Sequence, residues 1–502
     1  MRRRAYEAQT LPPSDAAFPV ARTDAGVEEA LRRRTGGLSA FFAALVLLGA
    51  SCAHRRPEVP SSPVALPEAF SRSGEAATEL RWWEAFEDES LNHLMDAALD
   101  RNLSLKAAAQ RLSQARAVAR RQGAALAPSV DASASASRTA QRPNPTPGES
   151  GTAYANRFSV GLRISYLVDV WGKLRAARDA AEFAARASEA DVRATALALT
   201  ARVANTWYSL VEQRWQLEVL EQQAESSGRT LALVQMRYRN GSVPATDILQ
   251  QRQQVESLRS ERAGVKSAIA SLSHQLAVLI GRVPKDAELP AGRGFAELPA
   301  FPETPPPASW VRQRPDLLAA HLRVRAQDRE VAVALADRFP SLTLSASAES
   351  GVPTVSDLLD EWVASLVGSV AAPVFAGGRR RAEIDRTRAA LSESLHNYAQ
   401  TLLDALKEVE DALAAEQAQR VALESIERQE ELAGQTLRQM RGRYRNGAVS
   451  FVEVLAAEQS HQRLQRNRLA ARRALIARRI DLVAALGRGW DRLPNEQSRG
   501  EN

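Results

Sequence analysis

Cysteine occurs once in 502 residues. That scarcity excludes an internal disulfide framework and any multi-cysteine zinc site. Histidine is also sparse: His54, His93, His274, His321, His396 and His461 stand far apart, none at ligand spacing from another His, from Cys or from a carboxylate. No phosphate loop, dinucleotide fingerprint, HExxH or nucleophile elbow is present. The sequence therefore reads as no enzyme, with no catalytic residue, no metal and no cofactor. Nowhere does an apolar run reach the roughly 20 residues a membrane-spanning helix needs. The net charge of +7 is thin over this length and gives no case for nucleic acid. Proline is absent from 173–240 and from 379–446, its 24 copies falling at segment edges and in a few clusters. Long proline-free tracts point to an elongated helical chain.

What is present begins with an export signal. Arg32, Arg33 and Arg34 precede the apolar run 38–49, and Ala50 and Ser51 lead to Cys52. A basic segment, a short apolar run and small residues before a cleavage point describe a secretory signal. The lone cysteine stands where a lipoprotein signal peptidase would leave a new N-terminus. Gly49 occupies the position where Leu is usual, with Leu48 one further back. Cys52 is thus the expected lipidation site, a palmitate-type anchor that tethers without spanning. Ala53, in place of an inner-membrane-retaining Asp, suits export to the outer membrane. Residues 1–51 form the expected signal peptide, with 1–26 lying upstream of the expected translation start at Val27. Cleavage lowers the net charge from +7 to +5.

An internal repeat organises the remainder. Tyr238-Arg239-Asn240-Gly241 returns as Tyr444-Arg445-Asn446-Gly447, 206 residues on, and Gly172 and Val203 return as Gly378 and Val409. Nearer the N-terminus the offset is 212, carrying Leu105 onto Leu317 and Pro128 onto Pro340. The change falls in a longer Pro-rich loop of the first copy. Each copy reads as helix, strand, loop, strand, long helix, tight turn, helix. The strands come from alternation: Val130, Ala132, Ala134 and Ala136 against Asp131, Ser133, Ser135 and Ser137, then Phe158 to Val170, then 341–349, with 362–376 less regular. Apolar residues at helical spacing (Leu402, Leu406, Val409, Leu413) and exposed pairs such as Glu182/Arg186 and Lys407/Asp411 support the helices.

The expected organisation is a lipid anchor, extended linker and start of an equatorial region over 52–100, and repeat 1 over 101–283. Within repeat 1, strands fall near 129–138 and 157–170 and long helices near 173–239 and 245–281. A Pro-rich linker covers 284–312 and repeat 2 covers 313–489, with strands near 341–350 and 362–376 and helices near 379–445 and 449–486. A C-terminal tail occupies 490–502. Four strands with one apolar face suit an outer-membrane barrel, yet four cannot close one, and open edges are not tolerated in lipid. Several chains must then share one barrel.

The pieces together resemble the TolC-like outer-membrane efflux factors, in particular the lipoprotein branch serving resistance-nodulation-division pumps. The matching pieces include Trp82-Trp83 with Phe86, Asp169-Val170-Trp171-Gly172, Arg314-Pro315-Asp316, Pro340-Ser341-Leu342, Pro373-Val374-Phe375, both Tyr-Arg-Asn-Gly turns and the closing Gly487-Arg488-Gly489-Trp490. The resemblance covers nearly everything from Cys52 to Trp490. It implies a mainly α fold with transmembrane β, in a homotrimer with a 12-strand barrel and a periplasmic helical barrel. The implied role is a passive exit duct in the outer membrane, lipid-anchored and reaching into the periplasm. Its implied partners are a periplasmic membrane-fusion adaptor, an inner-membrane efflux pump and outer-membrane lipid. The resemblance places adaptor-contact tips at Arg237, Tyr238, Arg239 and Gly241 and at Arg443, Tyr444, Arg445 and Gly447. It places an apolar constriction of the periplasmic gate at Val452. The family's acidic gate position falls on Ala456, leaving Asp247 and Glu453, equivalent in the repeats, as the nearest carboxylates. A type I secretion duct is the near alternative. A periplasmic coiled-coil adaptor lipoprotein is the more distant one, since it needs no matched strand pairs.

Overall fold

The computed structural model describes residues 64–76, 81–142, 152–292 and 294–487. The signal segment, Cys52 and the tail from 488 lie outside the described residues.

A 3-10 turn, Trp82–Phe86, leads into α1 (Glu89–Arg101), whose first turn is capped by the Asp88 carboxylate accepting from the Leu91 N–H at 3.1 Å. Helix α2 (Leu103–Ala124) opens onto the strands β1 (Ser129–Gln141) and β2 (Ala153–Val168). The long helix α3 (Lys173–Arg239) and its return α4 (Ala245–Leu279) complete the first copy. Among the described residues the linker holds a 3-10 turn, Pro284–Asp286, and a short helix, α5 (Pro307–Gln313). The second copy follows: α6 (Pro315–Ala336), β3 (Ser341–Val352), β4 (Val363–Ala371), α7 (Arg379–Arg445) and α8 (Phe451–Leu486).

Several boundaries differ from the sequence reading. Strand β1 runs on to Gln141 and β2 starts at Ala153, because the two pair in register to the hairpin end, Gln141 opposite Ala153. Strand β4 covers Val363–Ala371 and not 362–376, since its partner β3 begins at Ser341, opposite Ala371, and offers nothing further down. Pro340 precedes that pairing, and proline donates no ladder bond. Helix α4 ends at Leu279 and not 281, and α8 starts at Phe451 and not 449. Glu182 pairs with Arg178 at 3.5 Å, not with Arg186, which lies over the Phe183 ring. Lys407 does meet Asp411.

Each long helix follows a glycine in the left-handed region (Gly172 φ 75°, Gly378 φ 81°) and runs 67 residues. At 1.5 Å per residue that is about 100 Å. No helix among the described residues is long and apolar enough to cross a membrane. The four strands form one antiparallel sheet in the order β1-β2-β3-β4, leaving the outer edges of β1 and β4 unpaired among the described residues. Trp171 joins the copies below the sheet, stacking on Phe339 at 4.8 Å and donating to the Pro340 carbonyl at 2.6 Å. Asp337 ties the starts of both long helices, through Lys173 and through Arg380.

Equivalent residues build two equivalent cores. Leu105, Val203, Trp207, Leu276 and Ile280 are buried in one, with Trp82, Trp83 and Phe86 packed against them. Their counterparts Leu317, Val409, Leu413, Leu482 and Leu486 are buried in the other, with Phe70 and Trp310. The last carbonyls of the return helices are satisfied at equivalent places by different side chains. Asn102 donates to the Leu279 carbonyl at 2.9 Å, and Arg314 to the Ala485 carbonyl at 2.7 Å. In both copies a helix end that would be left with an orphan acceptor is closed by the residue opening the neighbouring helix.

Candidate functional site at the helical tips

The far ends of α3 and α7 carry the candidate site. Both close in the same way. The Gly241 N–H donates to the Tyr238 carbonyl at 2.9 Å and the Ser242 N–H to the Arg237 carbonyl at 2.9 Å. In the second copy the Gly447 N–H reaches Tyr444 at 3.1 Å and the Ala448 N–H reaches Arg443 at 2.9 Å. This paired closure needs a left-handed residue, and Gly241 (φ 71°) and Gly447 (φ 72°) supply it.

The side chains are not so matched. Tyr444 is half-buried against Val234, Phe451 and Leu455, with its ring 5.8 Å from Phe451 and the Arg237 guanidinium 5.1 Å above it. Tyr238 is 46% exposed. Arg239, Arg443 and Arg445 are exposed, while Arg237 is drawn in over Tyr444. The tips are therefore turns rich in arginine, with one tyrosine free and one seated.

The two carboxylates also part company. Asp247 is 7% exposed, in the first turn of α4, and burial pushes its carboxyl above the ordinary Asp value, opposed only by a hydrogen bond from Thr246. Glu453 is exposed and folds back on its own helix start, accepting from the Ser450 N–H and hydroxyl, each at 2.8 Å. Those bonds hold it below the ordinary Glu value. Equivalence in sequence thus does not make them an equivalent pair of gate charges. One is a sequestered acid, and the other is engaged at a helix N-terminus, where negative charge is favoured. Val452 is 49% exposed, and Ala456 lies one turn on along the same exposed face of α8.

Above the tips, α3, α4 and α8 meet through polar side chains that the sequence reading did not single out. Gln223 donates to the Gln462 carbonyl at 3.2 Å and to Gln465 at 2.9 Å, and Arg466 returns to Gln223 at 2.6 Å while pairing with Glu261 at 3.0 Å. Gln254 bonds Gln462 at 3.2 Å and accepts from Gln459 at 2.7 Å. Buried Glu458 pairs with Arg441 at 3.1 Å. The signal was available: Gln216 and Gln223 are seven apart, and Gln251 and Gln254 three apart, which puts amides on one helix face. No group of metal-ligating side chains occurs among the described residues.

With tips, sheet and repeats in view, the outer membrane efflux protein family model matches residues 94–282 and 309–488. The chain belongs to that family. The pyoverdine export outer membrane protein OpmQ of Pseudomonas aeruginosa is 33% identical over 430 residues, covering 82% of this chain and 88% of that one. The probable outer membrane lipoprotein SilC of Salmonella typhimurium is 28% identical, over 89% of this chain and 97% of its own. A crystal structure of CusC, described with transmembrane channel formation, superposes with a TM-score of 0.77 at 27% identity, covering 86% of this chain and 98% of that one. The chain is an outer-membrane channel component of an efflux system, and its fold is that of these channels.

Proposed function

We propose that three copies of this chain assemble into one passive duct through the outer membrane and the periplasm, receiving cargo from an inner-membrane pump through a periplasmic adaptor. The single observation that carries this is the pair of open edges on a four-strand sheet whose one face is apolar. In lipid each unpaired backbone group costs several kcal/mol, so the β4 edge needs a β1 edge from another copy. The repeats supply the template. The contact already made between repeat 1 and repeat 2, β2 on β3, is the contact repeat 2 would make with repeat 1 of the next copy.

In this reading the arginine-bearing turns at Arg237–Gly241 and Arg443–Gly447 face the adaptor. Val452 and Ala456 line the narrow end of the duct, and Cys52 carries a lipid anchor. The name of SilC as a probable lipoprotein supports that last point. Asp247 and Glu453 tune the tip ends and do not act as a ring of six equal charges. Detergent extraction followed by electrophoresis with and without boiling tests the assembly. A heat-modifiable trimer is the expected result, and a water-soluble monomer after removal of the lipid would overturn it. Mass spectrometry of the mature N-terminus tests the anchor, a free Cys52 thiol being the outcome that removes it.

A further inference from the structure

The outward face of the sheet is set by parity. Even-numbered positions of the four strands are Val130 to Ala140, Tyr154 to Val168, Leu342 to Val352 and Ala364 to Val370, nearly all apolar. Odd-numbered positions carry the serines other than Ser350, together with Asp131, Arg157, Arg163 and Glu349. Arg138 is the one charged residue on the outward face of these strands. Its guanidinium lies 4.9 Å from the centre of the Tyr154 ring, and its cross-strand neighbour is Asn156. No carboxylate among the described residues pairs with it.

The height of Arg138 follows from the strands. On β2 the apolar stretch from Phe158 to Val168 spans ten rises, roughly 23 Å along a barrel axis at the usual tilt, which is a full hydrocarbon band. Arg138, Asn156 and Tyr154 come just beyond it, at the end opposite the helices. Trp362, 67% exposed, stands at the same end before β4. Tyr and Trp at one level mark a membrane interface. The helices lie on the periplasmic side, so this end meets the outer leaflet. An arginine is tolerated at that level, whereas at mid-bilayer it is strongly disfavoured. Stacking on Tyr154 leaves the edges of the guanidinium free to donate, and a planar fork of N–H groups fits a phosphate bidentately.

We propose that Arg138, with Tyr154 and Asn156, binds the phosphorylated headgroup of an outer-leaflet glycolipid, lipid A being the chemical class. The site fixes the rim of the barrel to the lipid around it. This rests on the reading of the sheet as part of a shared outer-membrane barrel.

The test uses the full-length protein in detergent, titrated with diphosphoryl lipid A or with dephosphorylated lipid A, bound lipid being read by native mass spectrometry. Wild type should retain the diphosphoryl form and bind the dephosphorylated form far less. Arg138→Ala should lower occupancy about tenfold, the size of one charge-assisted contact. Arg138→Lys should fall between, and Arg163→Ala, on the inner face, should match wild type. Equal binding by Arg138→Ala, equal binding of dephosphorylated lipid A, or displacement of the lipid by equimolar inorganic phosphate would each overturn the proposal. A wild type that is itself a soluble monomer overturns the shared-barrel reading as well. An assembled wild type whose lipid binding ignores Arg138 overturns this contact alone.

Discussion

The two tips carry the same four residues, Tyr-Arg-Asn-Gly, and their backbones are the same, yet one tyrosine is seated and the other is bare. The difference is one of neighbours. Tyr444 at the second tip is covered by Val234 and Arg237, which belong to the first copy of the repeat. Tyr238 would need the corresponding residues of a following repeat, and within one chain there is none. The sheet repeats the lesson, since β2 is paired on both sides while β4 has a bare edge. Local sequence sets the turn and the strand, whereas the environment of the side chain comes from its neighbours, some in the same copy (Phe451, where the first copy has Ala245) and others across the repeat.

The largest effect should come from the bare edge. Proline at Leu366 or Val367, adjacent residues whose N–H groups point to opposite sides of β4, removes one ladder donor from each side in turn. The variant that blocks the outer side should lose the heat-modifiable assembly entirely while leaving the β3–β4 register of the single chain intact. Assembly that survives both substitutions would break the comparison at its root. Next comes a direct reading of the missing neighbour. The repeat relation carries the Arg237–Tyr444 contact onto Arg443 of one copy and Tyr238 of another. In a Cys52→Ser background, Tyr238→Cys with Arg443→Cys should be joined between copies by a short thiol crosslinker. Arg237→Cys with Tyr444→Cys should be joined within one chain. Crosslinks of the first pair confined to single chains would refute the equivalence.

A smaller contrast concerns the tyrosines themselves. Tyr444→Ala removes a half-buried ring and should lower local protection at the second tip by about 1–2 kcal/mol, read by hydrogen exchange. Tyr238→Ala should do almost nothing to a dissociated chain and approach the same loss only in the assembly.

The period of 206, the glycines behind it and the proline-free tracts made the helices legible in sequence, because a 67-residue helix needs only good helix formers and no breaker. The strand faces were legible from strict alternation. Strand ends were less so. The less regular segment 362–376 reads as strand to its end, but a strand is defined by its partner, and the described residues provide none for 372–376. At the tip, sequence placed Asp247 and Glu453 on equal footing. What separates them is the packing that buries one and the Ser450 N–H that holds the other. The amide seam of Gln223, Gln254 and Gln462 went unread for a similar reason: glutamine is at home on a solvated helix, and only the crossing of three helices turns it inward.

That difference between Asp247 and Glu453 makes the finest test, since the two should respond to acid with opposite sign. Asp247 has its folded value raised by burial, so its contribution to the first turn of α4 is fully present below the unfolded Asp value and is lost as pH rises through the raised one. Glu453 has its folded value lowered by the Ser450 bonds, so its contribution to α8 is present above the unfolded Glu value and is lost as pH falls through the lowered one. On acidification the start of α4 should become firmer while the start of α8 frays. Protection factors for 245–249 and 451–455, corrected for intrinsic exchange and followed from neutral into the carboxylate range, should therefore move apart. Asp247→Asn should flatten the first trend alone, and Glu453→Gln the second alone. Parallel slopes in the two turns would mean that the carboxylates share one environment after all, and the distinction drawn between the copies would fail at the tips.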